Sequence, residues 1–213
     1  MCVIASLDAA GIRAAAAAVA AGQCIVLPTD TVYGIGADAT SPKAVQGLLD
    51  AKQRGRDMPP PILLPDADLL PEVAADVPES ALALAKAFWP GALTLILKAK
   101  LPLDLGDRPT TIAVRVPDHD GARALLRATG WLAVSSANVS GQPPAITVAQ
   151  AQAMLGDSVA VYLDGGPTPG EVPSTIVDLA SDPETGRVIR QGAMSAATLR
   201  QVWPTIEDGV AGA

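Results

Sequence analysis

The 213-residue sequence has few of the side chains that build common compact sites: two cysteines, one histidine, three tryptophans, two tyrosines and one phenylalanine. Cys2 and Cys24 are too few for a disulfide framework, and together with one histidine they cannot complete a structural zinc site. Because disulfides are rare in the cytosol, this content favours a cytoplasmic setting. With so few aromatic residues, the core has to be built mainly from Ala, Val, Leu and Ile.

Basic charge is also scarce, since 15 Lys and Arg stand against 22 Asp and Glu, for a net charge of −7. A protein that coats nucleic acid with a broad basic face would have the opposite balance. We therefore expect direct RNA binding to be weak if it occurs at all. The alanine-rich run at 14–21 is too short and too weakly apolar to span a bilayer, which needs about 20 residues, and no basic signal-peptide segment precedes it. No membrane association is expected.

Several catalytic motifs are missing. The sequence has no G-x-x-x-x-G-K-[ST] segment, which excludes a P-loop. The segment GIGADA at 34–39 loosely matches a dinucleotide-binding turn, but about 20 positions further on, where that fold needs an acidic residue, the sequence has Lys52, Arg54 and Arg56. His119 is the only histidine and no G-x-S-x-G elbow is present, so a serine triad has no support.

Apolar spacing, capping residues and helix breakers predict an α/β protein. The predicted helices lie at 8–21, 41–54, 78–89, 119–130 and 194–203. The predicted strands lie at 24–28, 61–65, 92–98, 111–117, 131–136, 160–166, 174–180 and 187–192. Several late strands are joined by loops too short for a helical crossover, so the sheet should be mixed. Without repeats or a composition break, we expect one domain over 1–213, with its core at about 10–195 and a short C-terminal helix and tail.

Two polar clusters follow apolar segments in the first third of the chain. The first, LPTDTVYGIGADAT at Leu27–Thr40, places Thr31 and Tyr33 directly after a strand. The second, KQRGRDMPPP at 52–61, has three cations within five residues ahead of three prolines. A single cation at a helix end is usually solvated and favoured by the helix dipole. Three cations held by a stiff loop are more typical of an anion clamp.

Two further clusters lie later in the chain. SSANVSGQPP at 135–144 follows a strand, at a position where α/β folds often bind ligands, although alone it would be read as a polar loop. The last cluster is scattered: Arg115 lies inside TIAVRVP, Ser174 opens STIVDL, and Arg190 closes RVIRQG. An arginine flanked by valines is usually either an edge-strand surface residue or the buried partner of an anion.

Taken in order, these clusters resemble the YrdC/Sua family, the threonylcarbamoyl-AMP synthases. The matching segments are PTDTVYGIGAD at 28–38, K-x-R at 52–54, PGALT at 90–94, AVRVP at 113–117, SAN-x-SG at 136–141, PSTIVD at 173–178 and IRQG at 189–192. No single segment is decisive, but seven in the family's order, covering about 10–195, are highly specific. The sequence departs from the family pattern at Gly55, often Pro, at the pair Pro60–Pro61, often apolar, and at Pro144, often Ser.

The resemblance implies a YrdC-like α/β domain, in which helices flank a twisted mixed parallel/antiparallel sheet with a central ligand cleft. It also implies a nucleotidyltransferase that converts ATP, L-threonine and bicarbonate to threonylcarbamoyl-AMP and pyrophosphate, for tRNA threonylcarbamoyladenosine biosynthesis. A downstream tRNA-modifying transferase complex would be its partner. Mg²⁺ would be held mainly by ATP phosphates, with no metal ligands from protein side chains. The C-terminal domain of longer family members has no counterpart in this sequence.

Matched position by position, the resemblance implies two sets of binding residues. The ATP-binding set is Lys52, Arg54, Met58, Thr111, Ser136, Asn138, Pro144 and Arg190. The threonine-binding set is Thr31, Leu63, Arg115, Val134 and Ser174. The expected catalytic residues are Lys52, Arg54, Ser136 and Asn138. Three alternatives stay open: a double-stranded-RNA-binding or ribosome-associated module on the same fold, a domain like that of hydrogenase maturation proteins, and a paralogue with a different adenylation substrate.

Overall fold

The computed structural model describes residues 2–107, 110–170 and 172–209. Within these ranges the strands are β1 Val3–Ser6, β2 Ile25–Leu27, β3 Gly34–Asp38, β4 Ile62–Leu63, β5 Leu93–Lys98, β6 Thr111–Arg115, β7 Leu132–Ser136, β8 Val161–Asp164, β9 Thr175–Asp178, β10 Arg187–Arg190 and β11 Glu207–Asp208. The helices are α1 Ala9–Ala20, α2 Pro42–Ala51, α3 Leu70–Val73, α4 Glu79–Phe88, α5 Asp120–Thr129, α6 Val148–Leu155 and α7 Ala196–Arg200.

The helices begin where the sequence supplies capping side chains. Asp8 caps α1, and Ser41 caps α2 with Pro42 at the first helical position. His119 caps α5, its Nδ1 accepting a hydrogen bond from a backbone N–H of the first turn at 3.3 Å. An N-cap side chain satisfies a backbone donor that has no partner inside the helix. His119, the only histidine available for a catalytic triad, therefore serves as the N-cap of α5.

The strands form one mixed sheet in the order β1-β8-β2-β3-β7-β4-β6-β5-β9-β10-β11. Antiparallel pairs are β2–β3, β3–β7, β7–β4, β6–β5 and β9–β10, and the other pairs are parallel. This confirms the predicted mixture.

Helices cover both faces of the sheet. Alternate residues of β2 show the division: Ile25 and Leu27 pack with α1 and α5, while Val26 belongs to the larger core cluster with α2, α4 and α6. Successive side chains of a strand point to opposite faces, so a strand buried on both sides is apolar throughout. No helix in the described ranges has the length and apolarity needed to cross a membrane.

Some elements differ from the sequence-based expectation. The glycine-rich segment 34–38, expected to be part of a polar run, forms β3 between β2 and β7. Gly34 permits this close approach, since a Cβ atom there would lie 2.6 Å from Cγ1 of Val134. The short β1 and the helix α6 were not predicted. The helix predicted to reach 54 ends at Ala51, because Gln53 adopts a left-handed φ of 51°.

Candidate active site

One cavity of about 520 Å³ lies against a face of the sheet formed by β5, β6 and β9. Four of the five residues of β6 line it: Thr111, Ile112, Ala113 and Arg115. The lining includes twelve of the thirteen predicted binding residues: Thr31, Arg54, Met58, Leu63, Thr111, Arg115, Val134, Ser136, Asn138, Pro144, Ser174 and Arg190. The exception is Lys52. Motifs from nearly the whole chain therefore meet at one place.

One side of the cavity, which we call the hydroxyl wall, consists of Thr29, Thr31, Thr94, Arg115 and Ser174. Its centre is Arg115, which is 6% exposed. The guanidinium donates hydrogen bonds to the Asp30 carboxylate at 2.5 Å, to Thr31 Oγ1 at 3.0 Å and to a backbone carbonyl at 2.9 Å. Burial lowers the pKa of Arg115, and the charge of Asp30 opposes that shift. A guanidinium has five N–H groups, so two remain for a ligand.

The hydrogen bonds already formed by Thr29 and Thr31 determine whether the Thr31 hydroxyl can donate to a ligand or accept from it. Thr29 Oγ1 donates its hydrogen to the carbonyl of Val32 at 2.7 Å, so Thr31 must be the donor in the Thr29–Thr31 pair at 3.0 Å. Thr31 Oγ1 also accepts one N–H of Arg115. The Thr31 oxygen can therefore only accept from a ligand, which suits a ligand O–H or N–H group.

The second hydroxyl pair of this wall joins two strands. Thr94 Oγ1 lies 2.8 Å from Ser174 Oγ, and both residues are buried. The carbonyl of Ser174 accepts a hydrogen bond from Arg190 at 2.7 Å. Gly192 allows this arrangement, because a Cβ atom there would collide with the backbone of Pro173 and Ser174. The final glycine of IRQG is thus needed to bring Arg190 against the wall.

A second part of the lining, which we call the guanidinium wall, consists of Arg54, Ser135, Ser136 and Arg190, and it adjoins the hydroxyl wall where Arg190 contacts Ser174. Arg54 Nη1 donates to Ser135 Oγ at 2.9 Å, while its buried Nε has no hydrogen-bond partner among the described residues. In the described part of the chain neither Arg54 nor Arg190 forms a salt bridge. Both guanidinium groups line the cavity without a carboxylate partner in the described ranges, so this wall can receive an anionic acceptor.

The arginines of the two walls also act on one another. Burial lowers the pKa of Arg54, and nearby Asp57 opposes the shift. Burial lowers the pKa of Arg190 as well, and the positive charges of Arg115 and Arg54 lower it further. Arginine stays charged in proteins, so the cavity concentrates positive charge within an acidic chain. The fold and the cavity define an α/β protein whose single described sheet carries a cavity lined by three arginines.

The predicted clamp of Lys52, Arg54 and Arg56 is wrong as a cluster, because the structure separates its members. Only Arg54 lines the cavity. Lys52 is 1% exposed and lies behind the wall, and burial with the charge of Arg54 lowers its pKa to about 8. Arg56 forms ion pairs with Asp104 and Asp107 on the surface. Arg115 and Arg190, from distant segments, supply the remaining positive charge of the site.

Sequence reasoning gave no role to two residues that organise the hydroxyl wall: Asp30, which pairs with Arg115, and Thr94, which belongs to the wall. Asp30 was quoted within PTDT but given no role, although a buried arginine such as Arg115 requires a carboxylate partner. Thr94 was quoted within PGALT, and its signal was a hydroxyl group in an otherwise apolar strand. Both residues act by contact with a predicted side chain, so they do not stand out in the sequence by themselves.

Comparison with known proteins agrees with this description. Residues 17–192 match the family model of the Sua5, YciO and YrdC proteins, described as "Telomere recombination". A Mycobacterium tuberculosis protein provisionally named threonylcarbamoyl-AMP synthase is 48% identical over 194 residues, which cover 90% of this chain and 88% of that protein. The Bacillus subtilis threonylcarbamoyl-AMP synthase is 41% identical over 176 residues, 80% of this chain and 51% of the relative, so this chain spans about half its length.

A solved structure gives the same result. Pyrococcus abyssi Sua5 complexed with L-threonine superposes with a TM-score of 0.86 at 32% identity, over 97% of this chain and 62% of that one. This chain belongs to the Sua5/YciO/YrdC family. The resemblance drawn from the seven sequence segments and the predicted fold class are both confirmed.

Proposed function

We propose that this protein is a threonylcarbamoyl-AMP synthase, a nucleotidyltransferase that joins ATP, L-threonine and bicarbonate and releases pyrophosphate. The observation that carries the proposal is that one cavity has two unlike walls. The hydroxyl wall suits a small polar amino acid, and the guanidinium wall suits a polyanion. The names of the relatives support this function and not the RNA-binding alternative.

The reaction consists of two bond-forming steps. The threonine amine attacks the carbon of bicarbonate, water leaves, and a carbamate results. A carbamate oxygen then attacks the α-phosphorus of ATP, and the bond to the oxygen bridging the α- and β-phosphorus breaks, so that pyrophosphate leaves. Both reactants of the second step are anionic, so the protein has to neutralise and align them. No side-chain nucleophile is required.

Threonine would bind at the hydroxyl wall. The two unused N–H groups of Arg115 would hold the carboxylate in a charge-assisted pair, with Ser174 beside it. Thr31 Oγ1, which can only accept, would take the hydrogen of the threonine hydroxyl. Leu63 and Val134 line the same cavity and would pack against the methyl group.

ATP would bind at the guanidinium wall, with Arg54 and Arg190 facing its phosphates. The other residues proposed to line this half are Met58, Thr111, Ser136, Asn138 and Pro144, and Lys52 lies behind them. In the described ranges no three His, Cys, Asp or Glu side chains come together. The cavity offers one carboxylate, Asp57, beside its hydroxyl groups, and this donor set fits Mg²⁺ held mainly by phosphates. The ion would neutralise phosphate charge when it binds with ATP.

The product of this reaction is a mixed anhydride between a carbamate and a phosphate. A reactive anhydride of this kind requires an acceptor nearby, and we propose a tRNA-modifying transferase complex in the cytoplasm as its consumer. Because this chain has a net charge of −7, we expect the transferase complex, and not this protein, to bind the tRNA.

The test is incubation with ATP, L-threonine and ¹³C-bicarbonate, followed by mass spectrometry of the nucleotide and a pyrophosphate assay. We expect labelled threonylcarbamoyl-AMP, and pyrophosphate release that requires both threonine and bicarbonate. Reactions that omit one substrate serve as controls. Pyrophosphate release at the same rate from ATP alone would contradict the proposal.

A further inference from the structure

Lys52 is buried inside a loop that forms part of the cavity wall. We call residues 136–142 the Ser-Asn loop. The Lys52 ammonium donates hydrogen bonds to the carbonyls of Ser136 and Asn138, the second at 2.7 Å, and lies 3.5 Å from Asn138 Oδ1. The backbone carbonyl of Lys52 accepts a hydrogen bond from the N–H of Ser140 at 2.9 Å. One residue thus contacts the loop at four points.

These contacts use the hydrogen-bonding capacity of Lys52 and Asn138. An ammonium group has three donors, and three oxygens of the loop surround it. The Asn138 amide has two donors, and it gives them to the carbonyls of Val139 at 2.9 Å and Gln142 at 2.8 Å. Neither side chain has a donor left for a phosphate.

The guanidinium in the same segment is arranged in the opposite way. Arg54 lines the cavity and forms no salt bridge in the described ranges. Lys52 forms no salt bridge in the described part of the chain, so carbonyl dipoles rather than a carboxylate surround its charge. Two cations separated by one residue therefore have different environments: one is enclosed by backbone and one is open to a ligand.

We propose that Lys52 is a positioning residue, which fixes the shape of the Ser-Asn loop so that Ser136 and the loop backbone face the nucleotide, while Arg54 meets the phosphate charge directly. The inference rests on the proposed function for the identity of that ligand. The shape of the loop itself is a property of the ligand-free protein. Asn138 acts with Lys52, because its amide closes the other end of the loop.

The test compares Lys52→Met with Arg54→Met by amide hydrogen exchange without substrates, followed by separate calorimetric titrations with ATP and threonine. In Lys52→Met the loop amides should exchange about 10- to 100-fold faster, the factor expected when buried carbonyls lose a charged donor. Amides of β5, outside the loop, should stay within about twofold of wild type. In Arg54→Met the loop amides should also stay within about twofold.

The titrations separate positioning from a general structural role. Lys52→Met should weaken ATP binding about tenfold or more and leave threonine binding within about twofold. Weaker ATP binding with unchanged loop exchange would overturn the proposal, since it would mean direct contact with the nucleotide. Faster exchange in the loop and β5 alike, with both ligands weakened, would overturn it in favour of a general structural role.

A second variant covers the case in which Lys52→Met does not fold. Asn138→Ala removes the amide that closes the loop and leaves the ammonium in place, and it should show the same pattern of exchange and affinity. Unchanged loop exchange in Asn138→Ala would overturn the proposal. The exchange experiment uses no substrate, so its result does not depend on the proposed function. A failure to form pyrophosphate would contradict the proposed function, but the conclusion that Lys52 fixes the shape of the loop would still hold.

Discussion

The two walls of the cavity differ in how their polar groups are partnered. On the hydroxyl wall, Arg115 is paired with Asp30 at 2.5 Å, and the hydroxyls of Thr31 and Ser174 each have a partner. On the guanidinium wall, Arg54 and Arg190 form no salt bridge with any residue that the structure describes. The hydroxyl wall is therefore held in place by contacts within the protein. The positive charge of the guanidinium wall is not balanced by a carboxylate partner.

This difference separates recognition from charge neutralisation. A wall whose charge is already balanced selects a ligand by the few donors and acceptors that remain, and a missing partner on the ligand then leaves a buried group unsatisfied. A wall with unbalanced positive charge attracts phosphates and stabilises the charge that develops as the leaving group departs. An enzyme that brings an amino acid to a triphosphate needs one wall of each kind.

The largest expected effect comes from the guanidinium wall. Arg54→Met should lower kcat/KM for pyrophosphate formation about 10²- to 10³-fold, because a charged donor aimed at developing charge is worth that much. The matched control is Arg56→Met, two positions away, whose surface ion pairs lie outside the cavity. Exposed pairs contribute at most about 1 kcal/mol, so this variant should stay within about twofold of wild type. Equal losses in both variants would contradict the assignment of Arg54.

The next effect concerns the balance of charge on the hydroxyl wall. Asp30→Asn should lower the free energy of unfolding by roughly 3 kcal/mol, because it leaves the buried Arg115 without its carboxylate partner. Urea denaturation of the ligand-free protein measures this change. Asp118→Asn, at an exposed aspartate that lines a second pocket together with Asp30, is the control and should stay within about 0.5 kcal/mol. Equal stabilities of the two variants would mean that the pair is not an organising element.

The smallest effect is on the choice of amino acid. Thr31→Val should lower the ratio of kcat/KM for threonine to that for valine about tenfold, since the acceptor for the substrate hydroxyl is lost. Thr94→Val is the matched control, because Thr94 contacts Ser174 rather than Thr31, and its ratio should stay within about threefold. An unchanged ratio in Thr31→Val would show that the substrate hydroxyl binds elsewhere.

Much of the fold could be predicted from the sequence because the signals were local. Ser41 and Pro42 marked the start of α2, and apolar runs marked most strands of the sheet. The strand β3 could not be predicted in this way, since its glycines favour turns and only its place between β2 and β7 makes it a strand. The short edge strand β1 depends in the same way on its pairing with β8.

The membership of the cavity could be predicted from the order of the motifs, but the direction of each side chain could not. Lys52 and Arg54 are separated by one residue, and no sequence signal shows that one is enclosed and the other open. The difference arises at Gln53, whose φ of 51° turns the chain sharply after α2. A left-handed backbone conformation favours glycine or asparagine, so a glutamine at position 53 does not indicate a turn in the sequence.

The central claim, that the two walls bind two different substrates, is tested most directly by calorimetry on two variants. ATP and threonine are titrated separately into wild type, Arg54→Met and Ser174→Ala, since Arg54 and Ser174 belong to different walls of the same cavity. We expect Arg54→Met to weaken ATP binding at least about tenfold with threonine affinity nearly unchanged, and Ser174→Ala to show the reverse. Loss of both affinities in either variant, or loss of threonine binding in Arg54→Met alone, would contradict the division of the cavity into two walls.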